Sequence, residues 1–283
     1  MTALLLSALA SAGYGISDFI GGLASRRVHA LRIVVVSYPL SLVMMVLLAL
    51  AVGGSADEVA LLIGALAGVL VGVAILWFYL ALAEGPMSVV SPLTALLVAG
   101  LPLATGIVLG ERPGPLALTG AGLAVVAVVL VSREERTAVD HTPALRFTAR
   151  VGWLTVGSGA TFGGYFILLD QVPAGSGLWP LAMSRIAATA VVVIAAGVTQ
   201  RCPAGGTPGL LAVAAAILDV IGNVAFVFAL QAGLLSLVSV VAALYPAWTV
   251  LLARLVLGER TGRTQQAGLV LAAVAVGLIA GAA

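Results

Sequence analysis

Charge is what this chain has least of. Of 283 residues only 8% are charged, against 62% hydrophobic, and the mean hydropathy is +1.21. A water-soluble domain cannot hide that much apolar surface, so most of the chain must face lipid. Cys202 is the single cysteine, which excludes an internal disulfide. His29 and His141 are the only histidines, and both fall in expected loops, so no histidine cluster is available for a metal. No cofactor is expected. Lysine is absent: all thirteen basic residues are arginine, and the net charge of +2 points to no class of partner. The first apolar stretch lacks both a basic leader and a convincing small-residue cleavage site. It is therefore expected to be a retained span.

What is abundant is apolar runs. Stretches long enough to cross a bilayer, about 17–25 residues each, fall near 3–22, 33–52, 59–83, 87–109, 115–131, 152–169, 178–198, 209–230, 234–257 and 266–282. Backbone polar groups cannot go unpaired in lipid, and a helix is the way an open chain satisfies them. The expected fold is all-α, an integral membrane protein of ten transmembrane helices.

One pattern occurs twice. Residues 78–131 and 226–279 align without a gap, and 24 of 54 positions are identical. Apolar composition alone would give roughly one match in eight, so the chain holds an internal repeat. Residues 132–151, SREERTAVDHTPALRFTARV, form the one long charged stretch and mark the boundary. The expected organisation is a first five-helix repeat over 1–131, a charged linker over 132–151 and a second five-helix repeat over 152–283. Two copies with an odd number of spans must lie upside down relative to each other. Inverted repeats with a site between them are the architecture of secondary transporters.

Arginine bias supplies an orientation. The loops after spans 1, 3, 5, 7 and 9 hold ten arginines (26, 27, 32, 133, 136, 146, 150, 201, 260 and 263), and the other loops hold only Arg112. The positive-inside rule then puts both termini outside a cytoplasmic (inner) membrane. Gly64, Gly68 and Gly72 line one stripe of span 3, Gly159 and Gly163 one of span 6, and Gly277 and Gly281 one of span 10. Such stripes serve close helix packing, and those of spans 3 and 10 could serve a homodimer. Pro39, Pro92, Pro102 and Pro246 free backbone carbonyls within spans, which is tolerated where neighbours or a cavity satisfy them.

Ionisable residues inside spans point to function, because burying them is costly. Asp219 lies in the middle of span 8, with Asn223 at i+4 and Phe226 at i+7 on the same face. It is the expected proton-coupling residue. Arg185, two turns into span 7, can meet a substrate anion as a bidentate fork or can pair with an acid between helices. Tyr38 holds the corresponding place in the first repeat. Asp18 lies towards the end of span 1 with Tyr14 and Ser17 near it, and snorkelling to the interface competes there with a functional role. Tyr165, Trp77, Tyr79, Ser91, Thr94 and Tyr245 complete the candidates for a substrate-binding wall. The hydroxyls among them often only bond back to their own helix. The twin Leu-Gly-Glu-Arg segments, 109–112 and 257–260, close spans 4 and 9 and are read as structural.

The two five-span repeats, Ser91-Pro92 and Tyr245-Pro246, and the two Leu-Gly-Glu-Arg closures resemble the EamA family of the drug/metabolite transporter superfamily. The resemblance covers essentially the whole chain. It implies a ten-helix inverted-repeat fold with a central cavity walled by helices 1, 3, 4, 6, 8 and 9. It also implies transport, commonly export, of small metabolites such as amino acids. Tyr14, Asp18, Trp77, Ser91, Tyr165, Asp219, Asn223 and Tyr245 belong to those wall helices; Arg185, on helix 7, does not.

The leading expectation is a secondary active transporter of small polar or zwitterionic, amino-acid-like metabolites working by alternating access, with protons as the candidate coupling ion. An exporter of organic cations or drugs is the alternative. An intramembrane enzyme would need an acid/base pair, a nucleophile or a metal set that no motif here supplies. A passive channel fits the composition but not the repeat. Nothing in the sequence names the substrate or the direction of transport.

Overall fold

The structure, a computed structural model, describes residues 1–25, 27–84, 87–131, 148–200, 202–257 and 262–282, and only the backbone of residues 79, 82, 83, 87–89, 91 and 92. Most of the linker and the second Leu-Gly-Glu-Arg segment lie outside the described residues. So does the side chain of Ser91. Eleven helices account for the regular structure among the described residues: α1 Thr2–Ser25, α2 Ala30–Val52, α3 Glu58–Glu84, α4 Met87–Val108, α5 Pro115–Val131, α6 Ala149–Asp170, α7 Trp179–Val198, α8 Gly206–Ala232, α9 Leu235–Ala242, α10 Tyr245–Leu257 and α11 Arg263–Gly281.

Seven stretches are long and apolar enough to cross a membrane, with α9 and α10 taken together as one, and two shorter apolar helices accompany them. This is a multi-pass membrane protein. α6 does not meet that hydropathy, and its surroundings give the reason. It packs against α3 and α4, with Thr155, Ser158 and Tyr165 buried, so much of its surface meets protein rather than lipid.

The structure corrects the sequence reading in two places. The expected span 234–257 is not one helix: it stops at Ala242 and restarts at Tyr245. Ala243 and Leu244 form the turn between them, and Pro246, which has no N–H to donate back to Ala242, sits in the first turn of α10, where that donor is not needed. α6 begins at Ala149, with the Thr148 hydroxyl accepting from Val151 N–H at 3.3 Å, so the last residues of the expected linker are helical.

Helix pairing has a simple order. α1 packs on α8 as α6 packs on α3, and α2 on α8 as α7 on α3. α4 lies on α6 as α9 and α10 lie on α1. α2 with α7, α4 with α9 and α5 with α11 join corresponding helices of the two halves. Exchanging the halves returns the same strongest pairings. The loops follow the same rule. Ser55 N–H donates to Gly175 O at 2.9 Å, which ties the α2–α3 loop to the α6–α7 loop. At the partner position, Ala204 N–H donates to Arg32 O at 3.0 Å and Arg32 Nε to Cys202 O at 3.0 Å, which ties the foot of α2 to the α7–α8 loop.

The glycine stripe of span 3 is used within the chain. A Cβ on Gly64 or Gly68 would run into the backbone of Pro180 or Ser184 on α7. Gly277 of α11, in contrast, has nothing against it.

Candidate functional site

α1 and α8 cross at two glycines. A Cβ on Gly13 would lie 3.0 Å from the Gly222 backbone, and one on Gly222 would meet the Tyr14 ring at 2.9 Å. This close approach brings the aromatic face of α1 against the polar face of α8. Ser17 Oγ then reaches across to donate to Ala215 O at 2.8 Å.

On that polar face Asp219 and Asn223 stand one helical turn apart. Asn223 Nδ2 donates to Asp219 O at 2.7 Å and to Asp219 Oδ1 at 3.1 Å. Tyr165 of α6 donates its hydroxyl to Asn223 Oδ1 at 2.5 Å. Arg185 of α7 closes the network with an ion pair from its guanidinium to Asp219 Oδ2 at 2.6 Å. The guanidinium also sits 5.4 Å from the centre of the Tyr38 ring on α2, in cation–π geometry. Arg185 is 4% exposed whereas the Asp219 side chain keeps 31% of its surface. The pair is therefore buried on its cationic side and open on its anionic side.

An aromatic stack flanks the network. Phe166 lies 4.3 Å from Phe226 and 5.6 Å from Tyr165, centre to centre, and Tyr14 stacks on Phe166 at 6.4 Å. The Tyr14 hydroxyl is buried with no hydrogen-bond partner among the described residues. A buried hydroxyl costs free energy unless something bonds it, so it is a polar group waiting for a partner.

The structure joins Tyr14, Tyr165, Arg185, Asp219 and Asn223 into one cluster. Asp18 lies one turn of α1 beyond Tyr14 on the same face. It is exposed, without an ion pair or hydrogen bond among the described residues, and near enough for the Asp219 charge to act on it. Tyr245 begins α10 with its carbonyl against Gly15 of α1, and the Asp18 charge acts on it too. Trp77 is not part of the cluster; its ring packs over Gly157 on the α3–α6 seam and is 38% exposed. Thr94 is buried on α4, its hydroxyl without a partner among the described residues. Sequence reasoning missed Phe166 as a wall residue, because one Phe in an apolar helix carries no signal of its own. It left Tyr38 as a positional counterpart of Arg185, and the two are in contact.

The architecture and this cluster can be set beside known proteins. The profile of the EamA-like transporter family matches residues 1–133 and 151–281. The chain belongs to the EamA-like transporter family. That makes it a membrane transporter of the drug/metabolite superfamily, with a small-molecule substrate and a lipid bilayer as its surroundings. A crystal structure of another protein matches with a TM-score of 0.78 over 99% of this chain and 98% of that one, at 16% sequence identity, a likeness of fold. No curated protein matches the chain.

Proposed function

We propose that this EamA-family member is a secondary active transporter of small zwitterionic, amino-acid-like metabolites, exporting them by alternating access across the cytoplasmic membrane, with ten crossings arranged as two inverted five-helix repeats over 1–131 and 152–283. The linker 132–151 and the arginine-rich odd loops would face the cytoplasm, with both termini outside. The order of helix pairs, unchanged when the halves are exchanged, supports the repeat.

The observation that carries the substrate class is the ion pair of Arg185 with Asp219 at 2.6 Å, set among tyrosines and phenylalanines. Each half of the pair is one half of a zwitterion receptor. An incoming carboxylate would replace Asp219 on Arg185, and an incoming ammonium would replace Arg185 on Asp219. Exchanging one internal pair for two external ones keeps every buried charge matched, which a singly charged ligand would not achieve. The tyrosine hydroxyl left unbonded on Tyr14 supplies a further donor.

Proton coupling has a physical route through the same pair. When Asp219 is released from Arg185, either the substrate ammonium or a proton can take the place of the guanidinium, so the two compete for one carboxylate and substrate movement and protonation are linked. Asp18, the second carboxylate on this face, leaves the site with one negative charge in excess when Arg185 is paired. That excess favours the second reading, export of organic cations. A homodimer would meet through α11, where Gly277 is open.

The test is uptake of radiolabelled amino acids into proteoliposomes under an imposed pH gradient. Saturable, gradient-driven uptake that Asp219→Asn abolishes is expected, with the variant still folded. Uptake of organic cations alone selects the second reading, and full gradient-driven activity in Asp219→Asn refutes the coupling role.

A further inference from the structure

The Glu111 carboxylate does something its Leu-Gly-Glu-Arg segment did not advertise. Glu111 follows α4, in the first half of the chain, and both its oxygens accept backbone N–H groups of the second half. Leu235 N–H donates to Oε1 at 2.6 Å and Ser236 N–H to Oε2 at 2.9 Å. These are donors of the first turn of α9. No side chain from α9's own N-cap, Leu234, bonds that turn. A helix start leaves N–H groups without intrahelical partners and carries the positive end of the helix dipole, so a carboxylate there satisfies both needs.

The surroundings are built for this contact. Gly106, two residues before the end of α4, would place a Cβ on Glu111 Oε2, so the absence of a side chain there admits the carboxylate. Glu111 N–H donates to Gly106 O at 3.0 Å, which folds the segment back onto α4. Seven of the eight residues of α9 are buried, so its side chains give little freedom once its first turn is fixed. Its other end is the interruption before Pro246, where the chain has a joint. α9 is thus an eight-residue rod with a joint at one end and the Glu111 clamp at the other. It packs on α4 and on α1, the helix that carries Tyr14 and Asp18.

We infer that Glu111 is a positioning residue for transport: its carboxylate latches the first turn of α9, holding that rod against α4 and α1, and the latch must open for the rod to swing about the Pro246 joint. This rests on the transporter reading for its purpose but not for its geometry. In the latched state α9 is sealed; released, it admits water and small reagents along its buried face.

The test needs no substrate. In a Cys202→Ala background, a single cysteine replaces Val238, 2% exposed on α9, and a second protein carries it instead at Val192, fully buried on α7. Maleimide labelling is timed in each with Glu111, Glu111→Gln and Glu111→Asp. Loss of charge-assisted hydrogen bonds at the latch should speed labelling at position 238 by about tenfold in Glu111→Gln, leave position 192 unchanged, and be partly reversed in Glu111→Asp. Val241→Cys, also on α9, serves in place of Val238→Cys if that variant does not fold. Unchanged labelling on α9, or equal acceleration at both places, overturns the latch. Because labelling is independent of cargo, a failed substrate search leaves this result standing, and a failed latch leaves the transporter reading standing.

Discussion

The two halves of this molecule share a backbone plan and divide the chemistry unequally. Their helices pair in an order that survives exchanging one half for the other. Yet the linked polar network is contributed by the second half, through Tyr165, Arg185, Asp219 and Asn223. At the repeat offset, Asp219 and Asn223 correspond to Val71 and Ile75, which are apolar. The first half contributes aromatic surface through Tyr14 and Tyr38, and the unpaired Asp18. Corresponding helix pairs thus keep similar packing, because packing makes the fold, while the paired charge is concentrated in the second half. Paired charge in lipid is costly enough that a second copy would be a burden without a second ligand.

The comparison is broken hardest at Arg185. Arg185→Ala leaves Asp219 without its cation inside the protein. Because Asp219 keeps part of its surface open, a loss of about 1–3 kcal/mol is expected from leaving the carboxylate unpaired, read as a fall in the unfolding midpoint of detergent-purified protein. Tyr38→Ala, the change in the first half that faces the same guanidinium, removes a cation–π contact and should cost much less. Equal losses would mean that the charges are not concentrated as described. The double variant Arg185→Met with Asp219→Leu should recover much of the stability while losing substrate response.

The next largest effect sharpens the symmetry rather than the difference. Glu111→Ala removes the carboxylate oxygens that accept from two backbone N–H groups of α9 and should lower stability by about 1–2 kcal/mol, in the range of helix-cap deletions. Glu259 holds the same place in the second copy, outside the described residues. Chemical denaturation of Glu259→Ala beside Glu111→Ala measures whether the latch is duplicated along with the sequence. A loss at Glu111 alone would place the latch among the asymmetric features.

The smallest effect concerns Asp170, at the C-terminal end of α6. Burial, and then the neighbouring charge of Glu111, push its carboxyl above the ordinary carboxylate range. A raised value means the folded chain holds this proton more tightly than the unfolded chain. Stability contributed by the group is therefore present at low pH and falls as pH rises through the ordinary value towards the raised one. Because Asp170 is only partly buried, the fall should stay below about 1 kcal/mol. Asp170→Asn should flatten it in a pH series of thermal unfolding; an unchanged slope assigns the effect elsewhere.

The all-helical, multi-pass character of the fold was legible in the sequence because lipid imposes a length on each apolar run. The interruption in 234–257 was half legible. Pro246 signalled a freed carbonyl, but the hydropathy of the run is continuous across it, so composition drew one helix where the backbone makes two within the same span. The site was legible residue by residue and not as a network. Asp219 and Asn223 share a helix face and so are readable from spacing. Whether Arg185 meets an acid or a ligand depends on how α7 lies against α8, which spacing within α7 does not encode. Glu111 was legible as the end of a helix, while its partners lie 124 and 125 residues onward in the other half, beyond the reach of any local pattern.

The central claim, that the Arg185–Asp219 pair receives a zwitterion, is tested most directly by a thermal-shift screen. Detergent-purified wild type and Asp219→Asn are melted with amino acids, sugars, nucleosides and organic cations. The account predicts that an amino acid raises the melting temperature of the wild type and leaves the variant unmoved, since a ligand stabilises only the fold that binds it. An amino acid that stabilises both proteins equally would contradict it and move the site away from the ion pair.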